Sequence, residues 1–327
     1  MILISNICFS QIGGRRSFEF LNVPVNATTT ALGGTNISLV SEDPSMLLQN
    51  PALTDSLESH QISFGYLGYY AGVNQSTFSY VQEVKGRLIN FGVNYLNYGD
   101  IDGFDATGAP TGDFQAREYV VNAGTSQKIG VFTVGANVKF AHSLIDNFTA
   151  SALLVDIGGV FRPTATDWTI SLLAKNLGFT LSNYTNQQSI ELPFDIQLGT
   201  SFKPEFMPVR FSFTASNITR NNVGFVNRSL NPNDSEPGIG EEVFRRINIG
   251  TEFLLGKGVR ILVGYNHRIR KELRLQQLAA GAGFSFGMFL RIKMIDITYA
   301  RSTYQAAGGI NHVTIVTNLK KFKKAKL

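Results

Sequence analysis

The sequence predicts an all-β fold, a roughly fourteen-stranded antiparallel transmembrane β-barrel with an N-terminal hatch segment. Three observations predict this fold. Only 16% of the 327 residues are charged, whereas soluble domains carry about a quarter. No stretch of the chain approaches the roughly 18 consecutive apolar residues of a membrane-spanning helix. From about residue 59 onward, apolar residues alternate with small polar ones at the two-residue period of a β-strand.

The alternating segments are typical of membrane strands rather than of a soluble β-sandwich. In one of them, Phe132 and Val134 share a face, and Thr133 and Gly135 share the opposite face. The polar faces are rich in Gly and Asn, where a water-facing sheet carries Lys and Glu. The segments run for about 10–15 residues, longer than the usual 5 or 6 of soluble strands. The predicted strands begin near residues 59, 73, 87, 115, 130, 148, 167, 190, 208, 243, 258, 276, 289 and 308.

The connections between predicted strands agree with a barrel. Membrane barrels have short turns on the periplasmic side and longer loops outside. If the N-terminal segment is periplasmic, the odd-numbered connections are the outer loops. The two longest, about residues 100–114 and 220–242, both lie on that side, as does the connection near 183–189. The even-numbered connections include the short ones near 85–86 and 256–258.

The chain divides into four predicted regions. Residues 1–10 are mostly apolar and are interpreted as the remnant of a secretory signal peptide; a buried N-terminal strand is the alternative. Residues 11–57 form the hatch, residues 58–322 the barrel and residues 323–327 a basic periplasmic tail. Because roughly fourteen strands enclose a lumen too wide for their own side chains to fill, we expect the hatch to occupy it.

The net charge of +5 comes from the C-terminal end of the chain. A nucleic-acid-binding protein carries a basic stripe on its folded body. Here the rest of the chain is neutral, so we expect no nucleic-acid partner. The tail is either a solvated end or a segment that binds anionic lipid through its positive charge. The lysines that supply the excess charge are Lys320, Lys321, Lys323, Lys324 and Lys326.

We predict no catalytic, cofactor or metal site, and expect that the protein is not an enzyme. Residues 283–287 match the G-x-S-x-G nucleophile elbow, but an elbow needs a strand, a turn and then a helix, and the match lies in an alternating segment. The histidines lack metal-ligand spacing. Carboxylates after the third strand are compatible with Ca²⁺, but Phe104 breaks the EF-hand pattern and turn formation is the simpler interpretation. The residues concerned are His60, His142, His267 and His312, and Asp100, Asp102, Asp105 and Asp113.

Charged residues on the polar faces of neighbouring predicted strands form a candidate ion network inside the lumen. Their signs alternate over four successive strands, and adjacent strands lie about 4.8 Å apart. Pairing therefore depends on the register, and independent solvated side chains are the alternative. The four residues are Lys139, Asp156, Lys175 and Asp195, and Glu252 and Arg260 repeat the pattern on the tenth and eleventh strands.

A hatch motif precedes the first predicted strand. It consists of Gly33 and Gly34, then Asp43, then residues 50–52, which are Asn50, Pro51 and Ala52. This arrangement resembles the FadL-like superfamily of outer-membrane barrels, whose hatch carries an Asn-Pro-Ala motif before the first of its strands. A narrower resemblance, to the PorV/PorQ group of the type IX secretion system, rests on longer stretches. These are residues 18–24, 31–34, 97–100, 112–119, 192–199 and 208–212.

The resemblance implies a role without catalysis, in the outer membrane of a Gram-negative bacterium of the Bacteroidota type. Proteins of this group belong to the cell-surface attachment complex. There they anchor a PorZ-like surface subunit beside PorU-like and PorV-like subunits, and cargo is fixed to lipopolysaccharide at the membrane lipid surface. On this basis the outer loops carry the partner contacts. The candidate partner-loop residues are Phe225, Asn227, Arg228 and Asn231.

Two other functions remain open at this point. A FadL-like transporter of hydrophobic compounds needs an apolar pocket where the hatch meets the lumen. Leucines that interrupt the polar faces leave this option open, although they can equally pack against the hatch; they are Leu88, Leu96, Leu154 and Leu262. A soluble β-rich adhesin is the third interpretation, and it predicts extraction without detergent.

Overall fold

The computed structural model describes residues 17–54, 57, 59–185, 191–220, 223, 238–272, 281–305 and 308–320. Within these ranges, no helix is both long and apolar enough to cross a membrane. Several predicted features lie outside the described residues. They are the signal-peptide remnant at 1–10, the start of the hatch at 11–16, the partner-loop residues Phe225, Asn227, Arg228 and Asn231, and the tail at 323–327.

Fourteen antiparallel strands form one closed barrel, which confirms the predicted barrel. Each strand pairs with its neighbours in the sequence, and β1 closes the barrel by pairing with β14, with Gln61 opposite Asn318. The strands are β1 Gln61–Gly68, β2 Asn74–Val84, β3 Arg87–Phe104, β4 Pro110–Ile129, β5 Phe132–Ile145, β6 Phe148–Phe161, β7 Trp168–Ser182, β8 Asp195–Phe202, β9 Val209–Ala215, β10 Ile247–Leu254, β11 Val259–Asn266, β12 Phe284–Ile292, β13 Ile295–Gln305 and β14 Gly308–Asn318.

Short helices flank the strands. Two lie before β1, one lies before β10 and one follows β11. They are α1 Ala27–Ala31, α2 Met46–Gln49, α3 Ile239–Arg245 and α4 His267–Glu272, with 3₁₀ turns at Glu19–Asn22 and Tyr70–Gly72.

Four strands begin at least four residues later than the sequence predicts. The eighth was expected near residue 190, which lies outside the described residues, and β8 begins at Asp195. The tenth was expected near residue 243, but α3 occupies this stretch and β10 begins at Ile247. The twelfth was expected near residue 276, which lies outside the described residues, and β12 begins at Phe284. Gly281 and Gly283, just before it, adopt φ values of +89° and +82° that interrupt the alternation. The thirteenth was expected near 289 and begins at Ile295.

The strand alternation separates an apolar exterior from a polar interior. Phe64, Phe132 and Leu172 are more than half exposed on the outside. The interior positions next to them are buried and polar, as Ser63 and Thr133 illustrate. An exposed apolar belt around a closed barrel matches the hydrocarbon core of a membrane, since every strand has a partner and no backbone edge is left unpaired.

Connections on the two rims of the barrel differ in length. One rim has short turns, such as residues 85–86, 130–131 and 293–294. The opposite rim has the long connections at 183–194 and 216–246, which are the seventh and the ninth. The third connection spans only residues 105–109, shorter than predicted, because β3 and β4 extend into a hairpin of 18 and 20 residues.

The orientation of the barrel yields a labelling prediction. In a Cys8→Ser background, a cysteine replacing the exposed Gly240 of α3 should react with a membrane-impermeant maleimide on intact cells. A cysteine replacing Gly258 in the β10–β11 turn should react only after lysis, because this turn lies on the short-turn rim. The added Cβ meets no close contact at Gly240 and an ordinary one at Gly258, so both variants should fold. If only position 258 were labelled on intact cells, the barrel would have the opposite orientation in the membrane.

Candidate functional site

Residues 17–54, called here the N-terminal segment, lie inside the barrel. Hydrogen bonds connect this segment to inward-facing residues around the whole circumference. Asn50 Nδ2 donates to Ser171 Oγ on β7 at 2.7 Å, and Thr314 Oγ1 on β14 accepts from the backbone N–H of Ala27 at 2.8 Å. Further bonds reach β2, β5, β8, β9, β11 and β12. Partners on strands at every side place the segment within the lumen.

Inward-facing glycines make room for the backbone of the N-terminal segment. A Cβ atom at Gly135 would overlap the carbonyl group of Pro51, and a Cβ atom at Gly264 would overlap the backbone of residues 31–33. Any larger residue at these positions would displace the segment. The Gly-rich polar face that marked the strands in the sequence is therefore a packing surface rather than a channel lining.

The hatch-motif residues Asp43 and Asn50 are buried and hydrogen-bonded within the N-terminal segment. Asn50 Nδ2 also donates to the carbonyl oxygen of Ile37 at 2.9 Å, and Asn50 Oδ1 accepts from the N–H of Ala52 at 3.0 Å. Asp43 accepts from Ser45 through both the N–H and the hydroxyl group, at 2.9 and 2.7 Å. Burial raises the pKa of the Asp43 carboxyl above its usual value. These bonds satisfy backbone groups that have no strand partner.

The glycine pair of the motif sits where the chain turns after α1. Gly33 and Gly34 have φ values of +96° and +95°, which only glycine adopts without strain. The carbonyl oxygen of Gly33 accepts from Asn266 Nδ2 on β11 at 3.0 Å. The pair therefore ends α1 and connects the N-terminal segment to the wall.

Apolar side chains of the N-terminal segment pack against the leucines that interrupt the polar faces. Leu96 and Leu154 belong to one buried cluster with three residues of the segment, which are Phe18, Phe20 and Leu21. Leu262 belongs to a second buried cluster, with Ala27, Ala31 and Leu32. Leu88 is only half-buried, near the β2–β3 turn. Three of the four leucines thus contribute to the packing of the segment.

Two of the predicted network residues form a direct ion pair. Lys139 Nζ lies 2.7 Å from Asp156 Oδ1, and the two side chains are 5% and 0% exposed. Asn176 joins them, since its N–H donates to Asp156 Oδ1 at 2.7 Å and its Oδ1 accepts from Lys139. Asn176 has a φ of +59° at an irregularity in the β6–β7 pairing. This bulge turns its backbone N–H toward the carboxylate.

The other two residues of the predicted four lie opposite each other without pairing. Lys175 and Asp195 are register partners on β7 and β8. Lys175 Nζ donates instead to the carbonyl oxygen of Leu21 at 3.0 Å. Asp195 Oδ2 accepts from Gln197 Nε2 and from the N–H of Asn217, both at 2.9 Å. The expected continuous network is therefore interrupted between these two strands.

Glu252 and Arg260 form part of a second ionic cluster near the short-turn rim. Glu252 lies 3.4 Å from Arg260 and 3.1 Å from Arg210, and Arg210 also lies 3.2 Å from Asp167. The Arg260 guanidinium lies 3.7 Å from the centroid of the Phe289 ring. Arg210 was not among the predicted network residues, although its position on the polar face of β9 was the available signal.

The G-x-S-x-G match and the carboxylates after the third strand have structural roles. Ser285 lies on β12, which is followed by a turn and another strand, and its hydroxyl donates to the carbonyl oxygen of Ala31 at 3.0 Å. Asp105 accepts from Thr107 and Ala109 in the β3–β4 turn. In the described part of the chain, no three His, Cys, Asp or Glu side chains group as a metal site.

A polar cavity, called here the outer chamber, lies between the N-terminal segment and the long-connection rim. Its volume is about 70 Å³, and every residue that lines it is polar. Lys175, Asp195 and Gln197 contribute from the wall, and Arg245 contributes from α3. The chamber therefore offers mainly charged and hydrogen-bonding groups.

Comparisons with known proteins establish the fold of the chain. No protein-family profile and no curated protein matches the sequence. The toluene transporter TodX of Pseudomonas putida is similar in structure, with a TM-score of 0.54 and 12% identity over 90% of this chain and 96% of that one. A Pseudomonas aeruginosa FadL homologue has a TM-score of 0.50 and 11% identity over 90% of this chain and 98% of that one. The chain therefore has the fold of the FadL-type outer-membrane β-barrels.

Proposed function

We propose that this protein is a non-enzymatic, multi-pass component of the outer membrane that holds a surface subunit of the type IX secretion attachment complex. The partner is a PorZ-like subunit, held beside PorU-like and PorV-like subunits in a bacterium of the Bacteroidota type. The N-terminal segment acts as the hatch, and the long-connection rim acts as the docking face. The membrane lipid or lipopolysaccharide surrounds the apolar belt.

The observation that carries this proposal is the exposed apolar surface of α3 on the long-connection rim. Ile239 is 87% exposed, Phe244 60% and Val243 50%. A short helix that presents such side chains to solvent is typical of a protein–protein contact, since exposed apolar patches mark such sites and aromatic anchors contribute much of the binding energy. The candidate partner-loop residues precede this helix by eight or more positions in the sequence.

Transport of hydrophobic compounds is less well supported for this chain. TodX is named as a toluene transporter, and such a function requires an apolar pocket inside the barrel. In the described residues, the apolar side chains at the junction of segment and wall pack against each other, and the outer chamber is polar. These contacts favour the docking function.

A docking experiment tests the proposal. Replacing Phe244 with Ser, or residues 225–238 with a Gly-Ser linker, should leave the barrel folded and reduce recovery of the PorZ-like subunit at least tenfold. The reason is the loss of an apolar anchor, which costs about 2 kcal/mol or more at an interface hot spot. The measurement is co-purification from detergent-solubilised outer membrane.

Phe206→Ser is the matched control for this experiment. Phe206 is 92% exposed, but it lies in the β8–β9 turn on the opposite rim. Its replacement should leave recovery of the surface subunit unchanged. Undiminished recovery with both the Phe244 and the loop variants would refute docking at this rim.

A further inference from the structure

The outer chamber contains two opposite charges that lack ion-pair partners. Three arginines line it, and each pairs with a carboxylate: Arg220 with Glu19 at 3.4 Å, Arg245 with Glu241 at 3.1 Å and Arg268 with Glu272 at 3.9 Å. Among the chamber's described residues, the remaining charged side chains are Lys175 and Asp195. They face each other on adjacent strands, and no ion pair within 4.0 Å joins them.

Buried hydrogen-bonding atoms without partners lie beside these two charges. Asp195 and Gln197 are only 6% and 4% exposed. Asp195 Oδ1 and Gln197 Oε1 accept no hydrogen bond from the described residues, and Arg245 Nη1 likewise donates none. The orientation of the Gln197 amide is determined by its Nε2, which donates to Asp195 Oδ2. An unsatisfied buried polar atom costs about 1–3 kcal/mol, so two acceptors and one donor on residues that line the same chamber point to an occupant.

We propose that the outer chamber binds a small zwitterion, a molecule with one ammonium and one carboxylate group, of the size of glycine or alanine. The ammonium donates to Asp195 Oδ1 and Gln197 Oε1. The carboxylate accepts from Lys175 Nζ, which has protons beyond the one donated to Leu21, and from Arg245 Nη1.

Charge and size both support this occupant. A zwitterion neutralises Lys175 and Asp195 separately while leaving the chamber neutral, which is the condition for burying charge at low cost. A single anion or cation would satisfy one side and leave the other unpaired. The volume of about 70 Å³ corresponds to about five to seven water-sized groups at 10–15 Å³ each. This matches the non-hydrogen atoms of the smallest amino acids.

Comparing amino acids with compounds that carry only one of their two charged groups distinguishes a zwitterion site from a chamber that holds only water. The purified full-length protein in detergent is titrated calorimetrically with glycine, alanine, acetate, ethylammonium and glycerol. We expect saturable binding of glycine or alanine. Acetate and ethylammonium should bind at least tenfold more weakly, because each leaves one charged side chain unpaired.

Two variants locate the site, and each has a matched control. Arg245→Gln lies on α3 outside the barrel wall and should weaken glycine binding at least tenfold without affecting folding. Asp195→Asn should do the same by removing the ammonium partner. The controls, Arg117→Gln and Asp100→Asn, alter exposed residues away from the chamber and should change nothing.

Several results would overturn the inference. No saturable heat with glycine and alanine up to their solubility would mean that the chamber holds only water. Glycerol binding as tightly as glycine would assign the chamber to neutral hydroxyl compounds. Glycine binding that Arg245→Gln and Asp195→Asn both leave unchanged would place the ligand elsewhere. None of these results depends on the surface subunit, so they are independent of the docking proposal.

Discussion

Replacing Lys139 with methionine is expected to destabilise the folded barrel by about 3–5 kcal/mol, the typical cost of leaving one partner of a buried ion pair alone. Asp156 is fully buried, and Lys139 is its only ion-pair partner among the described residues. Lys139 and the Asn176 N–H both contact Asp156 Oδ1, and Asp156 Oδ2 accepts no hydrogen bond from the described residues. The variant therefore retains a buried carboxylate with only the Asn176 N–H to stabilise it.

The double variant Lys139→Met/Asp156→Leu separates the ion pair from general packing. Removing both charges is expected to restore most of the lost stability, because a buried pair replaced by apolar groups is often neutral. Arg268→Met is the control, since Arg268 and Glu272 are about one-third exposed and 3.9 Å apart. Its cost should stay below about 1 kcal/mol. Urea unfolding of the vesicle-embedded barrel measures the free energy of unfolding of the three variants. Equal losses for Lys139→Met and Arg268→Met would contradict the prediction.

Replacing Gly158 with valine should loosen the N-terminal segment and destabilise the protein by about 1–3 kcal/mol, as overpacking of a tight interior does. An added Cβ at Gly158 would overlap Asn50 Oδ1. Asn50 is fully buried and holds Ile37, Ser171 and Ala52 together by hydrogen bonds. The valine must therefore displace the side chain on which the local fold of the segment depends.

The adjacent residue is the control for this substitution. Gly159 has no atom within 4 Å of the position of an added Cβ, so Gly159→Val should change stability by no more than about 0.5 kcal/mol. Limited proteolysis in detergent is the second measurement. It should cut the N-terminal segment of the Gly158→Val protein faster than that of the control. Equal cleavage rates and equal stability would mean that the segment does not depend on contact with β6.

The barrel itself was predictable because strand alternation is a local property. Phe132 and Thr133 are adjacent in the chain, and their polarity alone assigns them to opposite faces. The prediction was wrong at the start of β12, where residues 281–283 continue the apolar–small alternation without forming a strand. Alternation does not reveal the positive φ values of Gly281 and Gly283 that end the pattern.

The contacts inside the lumen were harder to predict from the sequence, since they depend on strand register and on residues far apart in the chain. The β5–β6 register places Asn137 opposite Asp156, so Lys139 reaches the carboxylate diagonally. A slip of one residue would have moved one of these side chains to the lipid face. Likewise, Asn50 meets Ser171 across 121 residues of sequence.

Composition and two-residue periodicity were therefore enough to predict a closed membrane barrel, because both depend only on the solvent that each strand face meets. The pairing of Lys139 with Asp156, the separation of Lys175 from Asp195 and the burial of Asn50 against β7 followed only from the closed barrel. They arise because closure brings distant side chains to the same depth in a space that the N-terminal segment must fill.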